Sequence, residues 1–159
     1  MTSIVNIQFT PIDDPLSDDV FNLLKAGLFA YVDRVFGWYD DDQRQRLRDE
    51  YQPEWFQWVL VDGNKVGFVC FRTYQQALHL HLIVLDASYQ GRGLGKQVMA
   101  AIHAMAVSQH QDVTLSCFKC NERALALYHS LGYSTTDEDD YFLSLRWHHR
   151  AELSDTGAA

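Results

Sequence analysis

Residues 78–107 read LHLHLIVLDASYQGRGLGKQVMAAIHAMAV, and this one stretch restricts the possible folds more than any other. It opens with an almost wholly apolar run over 78–85, centred on Leu82-Ile83-Val84-Leu85, the pattern of a strand buried on both faces. It turns through Asp86-Ala87-Ser88-Tyr89, passes glycines at 91, 93 and 95, and enters a segment with Leu94, Val98, Ile102 and Met105 on one helical face. A strand, a glycine loop and a helix in that order leave the helix's first N–H groups unpaired at the positive end of its dipole, which suits a phosphate. Glycines there let the backbone approach a bulky anion and adopt positive φ, while Arg92 and Lys96 add charge.

Two familiar phosphate loops fit poorly. A P-loop needs Ser or Thr after Gly-Lys, and Gly95-Lys96 is followed by Gln97. A dinucleotide fingerprint needs G-x-G-x-x-G and an acid at the end of the next strand; the spacing here is G-x-G-x-G, and Asp112 precedes the apolar run 113–117.

The spacing Gln90-x-x-Gly93-x-Gly95 after a buried strand resembles the acetyl-CoA signature of the GNAT superfamily of N-acetyltransferases. A second segment strengthens the match. Residues 115–133 resemble the superfamily's strand, its Asn-x-x-Ala-x-x-x-Tyr helix (Asn121, Ala124, Tyr128) and its Leu-Gly-Tyr turn (Leu131-Gly132-Tyr133).

The resemblance implies a mixed α/β (α+β) fold. A central, mostly antiparallel sheet of six to seven strands would carry helices on both faces, with strands four and five parallel and splayed. It also implies an acyltransferase with acetyl-CoA as co-substrate, moving the acetyl group to a primary amine by direct attack in a ternary complex. The loop Gln90, Gly91, Arg92, Gly93, Leu94, Gly95 and Lys96 would hold the pyrophosphate. The backbone of Ile83, Val84 and Leu85 would take the pantetheine arm as an added strand does, with the N–H of Ile83 polarising the thioester carbonyl. Asn121 would bond the pantetheine, and Tyr128 would serve as the acid on the leaving sulfur.

Supplying a free amine at neutral pH from an ammonium with a pKa near 10.4 costs roughly 4.6 kcal/mol, so a base is useful. His79 and His81 share the strand face of Ile83, and His79 sits where several family members carry a catalytic carboxylate. The acceptor pocket of the superfamily falls on Trp38, Tyr39 and Asp40, followed by Asp41 and Asp42. The turn departs from the family at Ala87, where Pro is frequent.

The chain has 159 residues, 47% of them hydrophobic, which is enough for one core, and residues 1–150 are expected to form a single domain with a disordered tail at 151–159. A formal charge of −8 with no long basic cluster argues against a nucleic-acid partner and is compatible with a small-molecule or peptide amine. No signal-peptide pattern and no long apolar run appear, so a soluble, cytoplasmic protein without a membrane partner is expected. Cys117-x-x-Cys120 raises a zinc or redox reading, but no second ligand pair has suitable spacing, so no metal is expected.

A catalytically weak acyl-CoA-binding or regulatory protein on the same fold is the competing class, and the resemblance leaves a homodimer open. The other elements read as a strand over 4–9, a helix capped by Ser17 and stopped by Gly37, and a second helix over 41–51. A hairpin turns at Asp62-Gly63 and a short turn at Gln75-Gln76. Beyond the glycine loop come a strand over 113–117, a helix over 121–131 and strands near 133–135 and 141–147.

Overall fold

The computed structural model describes residues 5–149. Ile4, counted in the first expected strand, and the expected tail at 151–159 lie outside the described residues. The elements are β1 (Ile7–Pro11), α1 (Asp18–Val35), α2 (Asp40–Asp49), β2 (Phe56–Val61), β3 (Asn64–Tyr74), β4 (Ala77–Leu85), α3 (Leu94–Ser108), β5 (Asp112–Phe118), α4 (Glu122–Ser130), β6 (Ser134–Glu138) and β7 (Phe142–Trp147). Single 3-10 turns stand at Pro53–Trp55 and Ala87–Tyr89.

The strands form one seven-stranded sheet in the order β1-β2-β3-β4-β5-β7-β6. Pairing is antiparallel at β1–β2, β2–β3, β5–β7 and β6–β7, and parallel at β4–β5, as a strand–helix–strand crossover requires. The parallel ladder joins Ala77–Leu80 to Asp112–Leu115. By chain contacts there are two compact units: residues 5–71 with 82–98, and residues 72–81 with 99–149.

In the first unit Ser17 caps α1 by accepting from the N–H of Val20, with Asp18 and Asp19 in the first turn. Val20, Phe21 and Leu24 repeat at helical spacing and are buried with Ile12, Leu47, Phe56, Phe68 and Val84. Burying such side chains stabilises by about 1.5–3 kcal/mol each. Gly37, at φ +81, ends the helix. Asp62 and Gly63 both adopt positive φ, as a two-residue primed hairpin turn demands. Gly67 is there for room: a Cβ on it would lie 2.0 Å from the Val84 carbonyl oxygen, so β3 and the end of β4 approach closely at this point.

In the second unit Val113, Leu115, Leu145 and Trp147 are buried, whereas all five residues of β6, reading STTDE, are exposed. That composition suits the sheet edge it occupies, and it explains why β6 runs to Glu138 although no apolar alternation marks it.

Asp112 ties the start of β5 to the end of β7. Its Oδ2 accepts from Arg146 Nε at 2.8 Å and lies 3.0 Å from His148 Nδ1, and its Oδ1 accepts from the His149 backbone N–H at 3.0 Å. Burial alone would raise its pKa, but the bonds from His149 and Arg146 outweigh that and hold the carboxyl well below the usual carboxylate range. Charge-assisted bonds of this kind contribute about 1.5–3 kcal/mol. Asp112→Asn should therefore lower the melting temperature by about 5–10 °C in calorimetry at neutral pH. Because the folded-state pKa is depressed, this advantage is complete above the unfolded value near 3.9 and is lost as pH falls below it, so the two proteins should converge in acid.

Candidate functional site

In the first unit, four bonds shape the end of β4 and the loop that follows. The Asp86 N–H donates to the Val66 carbonyl at 2.7 Å, Asp86 Oδ1 accepts from both the N–H and the hydroxyl of Ser88, and Gln90 Nε2 donates to the Leu85 carbonyl at 3.2 Å. Asp86 thus caps the 3-10 turn and fixes the bend that Pro provides elsewhere, so Ala87 leaves the turn well defined. Gln90 reaches back to the strand, which ties the loop to Leu85.

Gly91 and Gly93 adopt φ of +78 and +72, and nothing lies within 4 Å of where a Cβ on either would stand. Gly95 differs from them: it belongs to the first turn of α3. The Gly93 carbonyl accepts the first helical bond, from Gln97 N–H at 3.3 Å, so the N–H groups of Leu94, Gly95 and Lys96 have no partner inside the helix. Open space on the side-chain side, a left-handed bend and a helix start together leave backbone N–H groups that an anion could meet. The Arg92 guanidinium stands 6.0 Å from the Tyr89 ring.

Of the residues expected at the acceptor pocket, Trp38 and Asp40 are brought together. Trp38 Nε1 donates to Asp40 Oδ1 at 2.7 Å, Lys25 Nζ reaches the same oxygen at 3.0 Å, and the Trp38 ring packs on Phe21 and Phe29. These two bonds, the one from Trp38 first, hold the Asp40 carboxyl below its ordinary pKa. Tyr39 differs from both, being 65% exposed.

In the second unit, Asn121 caps α4 by accepting from Ala124 N–H at 3.2 Å, and Tyr128 lies two turns further on. Tyr128 is buried, and burial first, then the nearby Cys117, pushes its phenol well above its usual pKa, so it stays protonated. Its surroundings include a group that sequence reading missed. The Tyr133 ring lies 5.5 Å from that of Tyr128, the Tyr133 N–H donates to the Tyr128 carbonyl, and the Tyr133 hydroxyl is 2.8 Å from His103 Nε2. His103 stacks on Trp147 with centroids 4.0 Å apart. Burial pushes the His103 pKa down to about 4, so it is a neutral core residue.

His79 and His81 stand side by side, their rings 4.6 Å apart and nearly perpendicular. His79 Nδ1 lies 2.7 Å from Thr114 Oγ1. His81 Nε2 accepts from Arg72 Nε at 3.2 Å, so its lone pair faces a permanent cation. Burial, His79 and Arg72 together push His81 down to about 4, whereas burial and Arg72 lower His79. Both rings are neutral at pH 7, as a proton acceptor must be.

The Cys117 thiol is pushed up to about 11, by burial first and then by Cys120, which keeps it protonated at neutral pH and unsuited to thiolate chemistry. Among the described residues no group of three or more His, Cys, Asp or Glu could hold a metal ion, and no helix is long and apolar enough to cross a membrane.

The chain belongs to the acetyltransferase (GNAT) family, whose model matches residues 18–133. Among curated proteins it is similar to a 5-NmdU N-acetyltransferase of Pseudomonas phage PaMx11, 31% identical over 55% of this chain and 63% of that one. It is also similar to a spermine/spermidine N(1)-acetyltransferase of Bacillus subtilis (strain 168), 28% identical over 52% of this chain and 61% of that one. The match thus spans about three fifths of each relative's length. Its fold is that of the PaiA N-acetyltransferase from Thermoplasma acidophilum in complex with coenzyme A, with a TM-score of 0.67 at 14% identity over 90% and 99% of the two chains. A GNAT family acetyltransferase from Elizabethkingia anophelis with acetyl-CoA bound gives 0.66 at 13% identity over 91% and 97%.

Proposed function

We propose that this chain is an acetyl-CoA-dependent N-acetyltransferase acting on a primary amine by direct attack in a ternary complex. The observation that carries the reading is the pair Gly91 and Gly93, both at positive φ and both open where a Cβ would stand, immediately before the start of α3. In this reading the N–H groups of residues 91–96 hold the pyrophosphate, and Arg92 and Lys96 add salt-sensitive attraction. Ile83, Val84 and Leu85 offer backbone groups to the pantetheine arm, Gln90 keeps the loop in register with Leu85, and Asn121 adds a side-chain bond. The co-substrate supplies a thioester whose carbonyl is attacked.

His79 takes the ammonium proton, in preference to His81, whose lone pair is engaged by Arg72. Tyr128 donates to the leaving sulfur. Among the three acceptor candidates, Tyr39 contacts the amine-bearing substrate, while Trp38 and Asp40 fix the segment that carries it.

The relatives' names give spermine, spermidine and 5-NmdU as acceptors of those proteins. An excess of acids over bases, 21 to 13, favours a cationic acceptor here. The test is release of free CoA from acetyl-CoA across a panel of polyamines, amino acids, aminoglycosides, 5-NmdU and peptides. One amine class is expected to accelerate release in a saturable way. Tight acetyl-CoA binding with no acceleration by any amine would instead assign the chain to the acyl-CoA-binding, regulatory class.

A further inference from the structure

The parallel ladder of β4 and β5 sets His79 opposite Thr114. Both are half-buried, and the Thr114 hydroxyl lies 2.7 Å from His79 Nδ1. Tyr74, Arg72 and His81 complete the surroundings: the Tyr74 ring is 6.4 Å from His79, and Arg72 stacks over Tyr74 and bonds His81. One ring nitrogen of His79 is therefore committed to Thr114, and a substrate proton can be received only at Nε2. A neutral imidazole has a lone pair on Nε2 only when the hydrogen is on Nδ1, and in that tautomer Thr114 must accept.

We propose that Thr114 is a positioning residue: its hydroxyl oxygen accepts from His79 Nδ1–H, fixing the tautomer whose Nε2 lone pair is left to receive the proton. The inference rests on His79 being the base. The opposite tautomer, with Thr114 donating to Nδ1, would put a hydrogen on Nε2 and make His79 unable to accept the proton. Arg72 acts on the other histidine: its N–H fixes His81 with the lone pair on Nε2, so His81 Nδ1 carries the hydrogen.

The test uses the full chain with nitrogen-labelled histidine, and His79→Gln to assign the signal. Ring nitrogen shifts of the wild type at neutral pH are expected to show His79 protonated on Nδ1, and Thr114→Val, nearly isosteric and at home in a strand, to move it toward the Nε2–H form. In the same variant kcat should fall about three- to tenfold, the effect that one neutral hydrogen bond can hold, with KM for acetyl-CoA unchanged. Thr114→Ser should restore both, and Thr114→Val should have no effect in the His79→Gln background. A wild-type His79 protonated on Nε2, or a Thr114→Val protein with unchanged tautomer and kcat, overturns the proposal even if His79→Gln is slow. If His79→Gln itself turns over normally, the base assignment falls, and the proposal with it.

Discussion

Tyr128→Phe is expected to lower kcat by about 10²–10³-fold while leaving the affinity for acetyl-CoA nearly unchanged. The phenol is buried and its pKa is raised above the ordinary 10, so it is fully protonated at working pH. A thiol leaving group has a pKa nearer 8.5, so such a weak acid has little tendency to hand its proton over completely. Its contribution is a hydrogen bond that strengthens as charge grows on sulfur, which lowers the transition state more than the ground state. Phe keeps the ring and its packing on Tyr133, 5.5 Å away, so α4 should remain folded. The raised pKa adds a second expectation: no alkaline fall in the wild-type rate below pH 10 arises from this phenol. Steady-state CoA release, with calorimetry for binding, measures both parts. Full activity in Tyr128→Phe, with chemistry limiting, would leave Tyr128 as a core aromatic.

Gly93→Val should weaken acetyl-CoA binding by at least about 100-fold. Two costs contribute, and they can be separated. A β-branched residue at φ +72 is strained by about 1–3 kcal/mol whether or not a ligand is present. The larger cost arises on binding, because the space beside Gly93 is where the pyrophosphate is expected to lie, and the valine methyls would occupy it. Gly63 provides the control, since it too has positive φ, +85, with nothing within 4 Å, and it belongs to the β2–β3 turn and not to the glycine loop. Gly63→Val should lose similar stability and bind acetyl-CoA normally. Arg92→Ala should lose less affinity than Gly93→Val, and its deficit should shrink as salt rises. Normal binding by Gly93→Val in calorimetry would remove the loop from the coenzyme site.

The parts of this fold legible in the sequence are those set by neighbours in the chain. Ser17 with Asp18 and Asp19 marked a helix start, Asp62-Gly63 a hairpin, and the glycine spacing after the apolar 78–85 run a strand-to-helix bend, because each depends on local φ, capping or periodicity. The parts that stayed hidden depend on register. Nothing near His79 in the sequence indicates that Thr114, 35 residues later, lies opposite it, or that Arg72 faces His81. The same is true of Asp112, whose partners Arg146, His148 and His149 come from the other side of the β5–β7 pair. Trp38 and Asp40 were picked out together from an aromatic and acidic run, but composition could not show that they bond each other and Lys25. Nothing in the sequence marks His103 as a core residue; its partners Tyr133 and Trp147 are what make it one.

The central claim is that an acetyl group passes directly from acetyl-CoA to an amine on this chain. Acetyl-CoA carrying an isotope label in its acetyl group, incubated with the purified protein and the best amine of the panel, tests it most directly. The expected result is label in the acceptor as an amide, appearing in step with free CoA, with none on the protein when the amine is withheld. Label that stays in acetyl-CoA with every amine, or that accumulates on the protein without one, would contradict it.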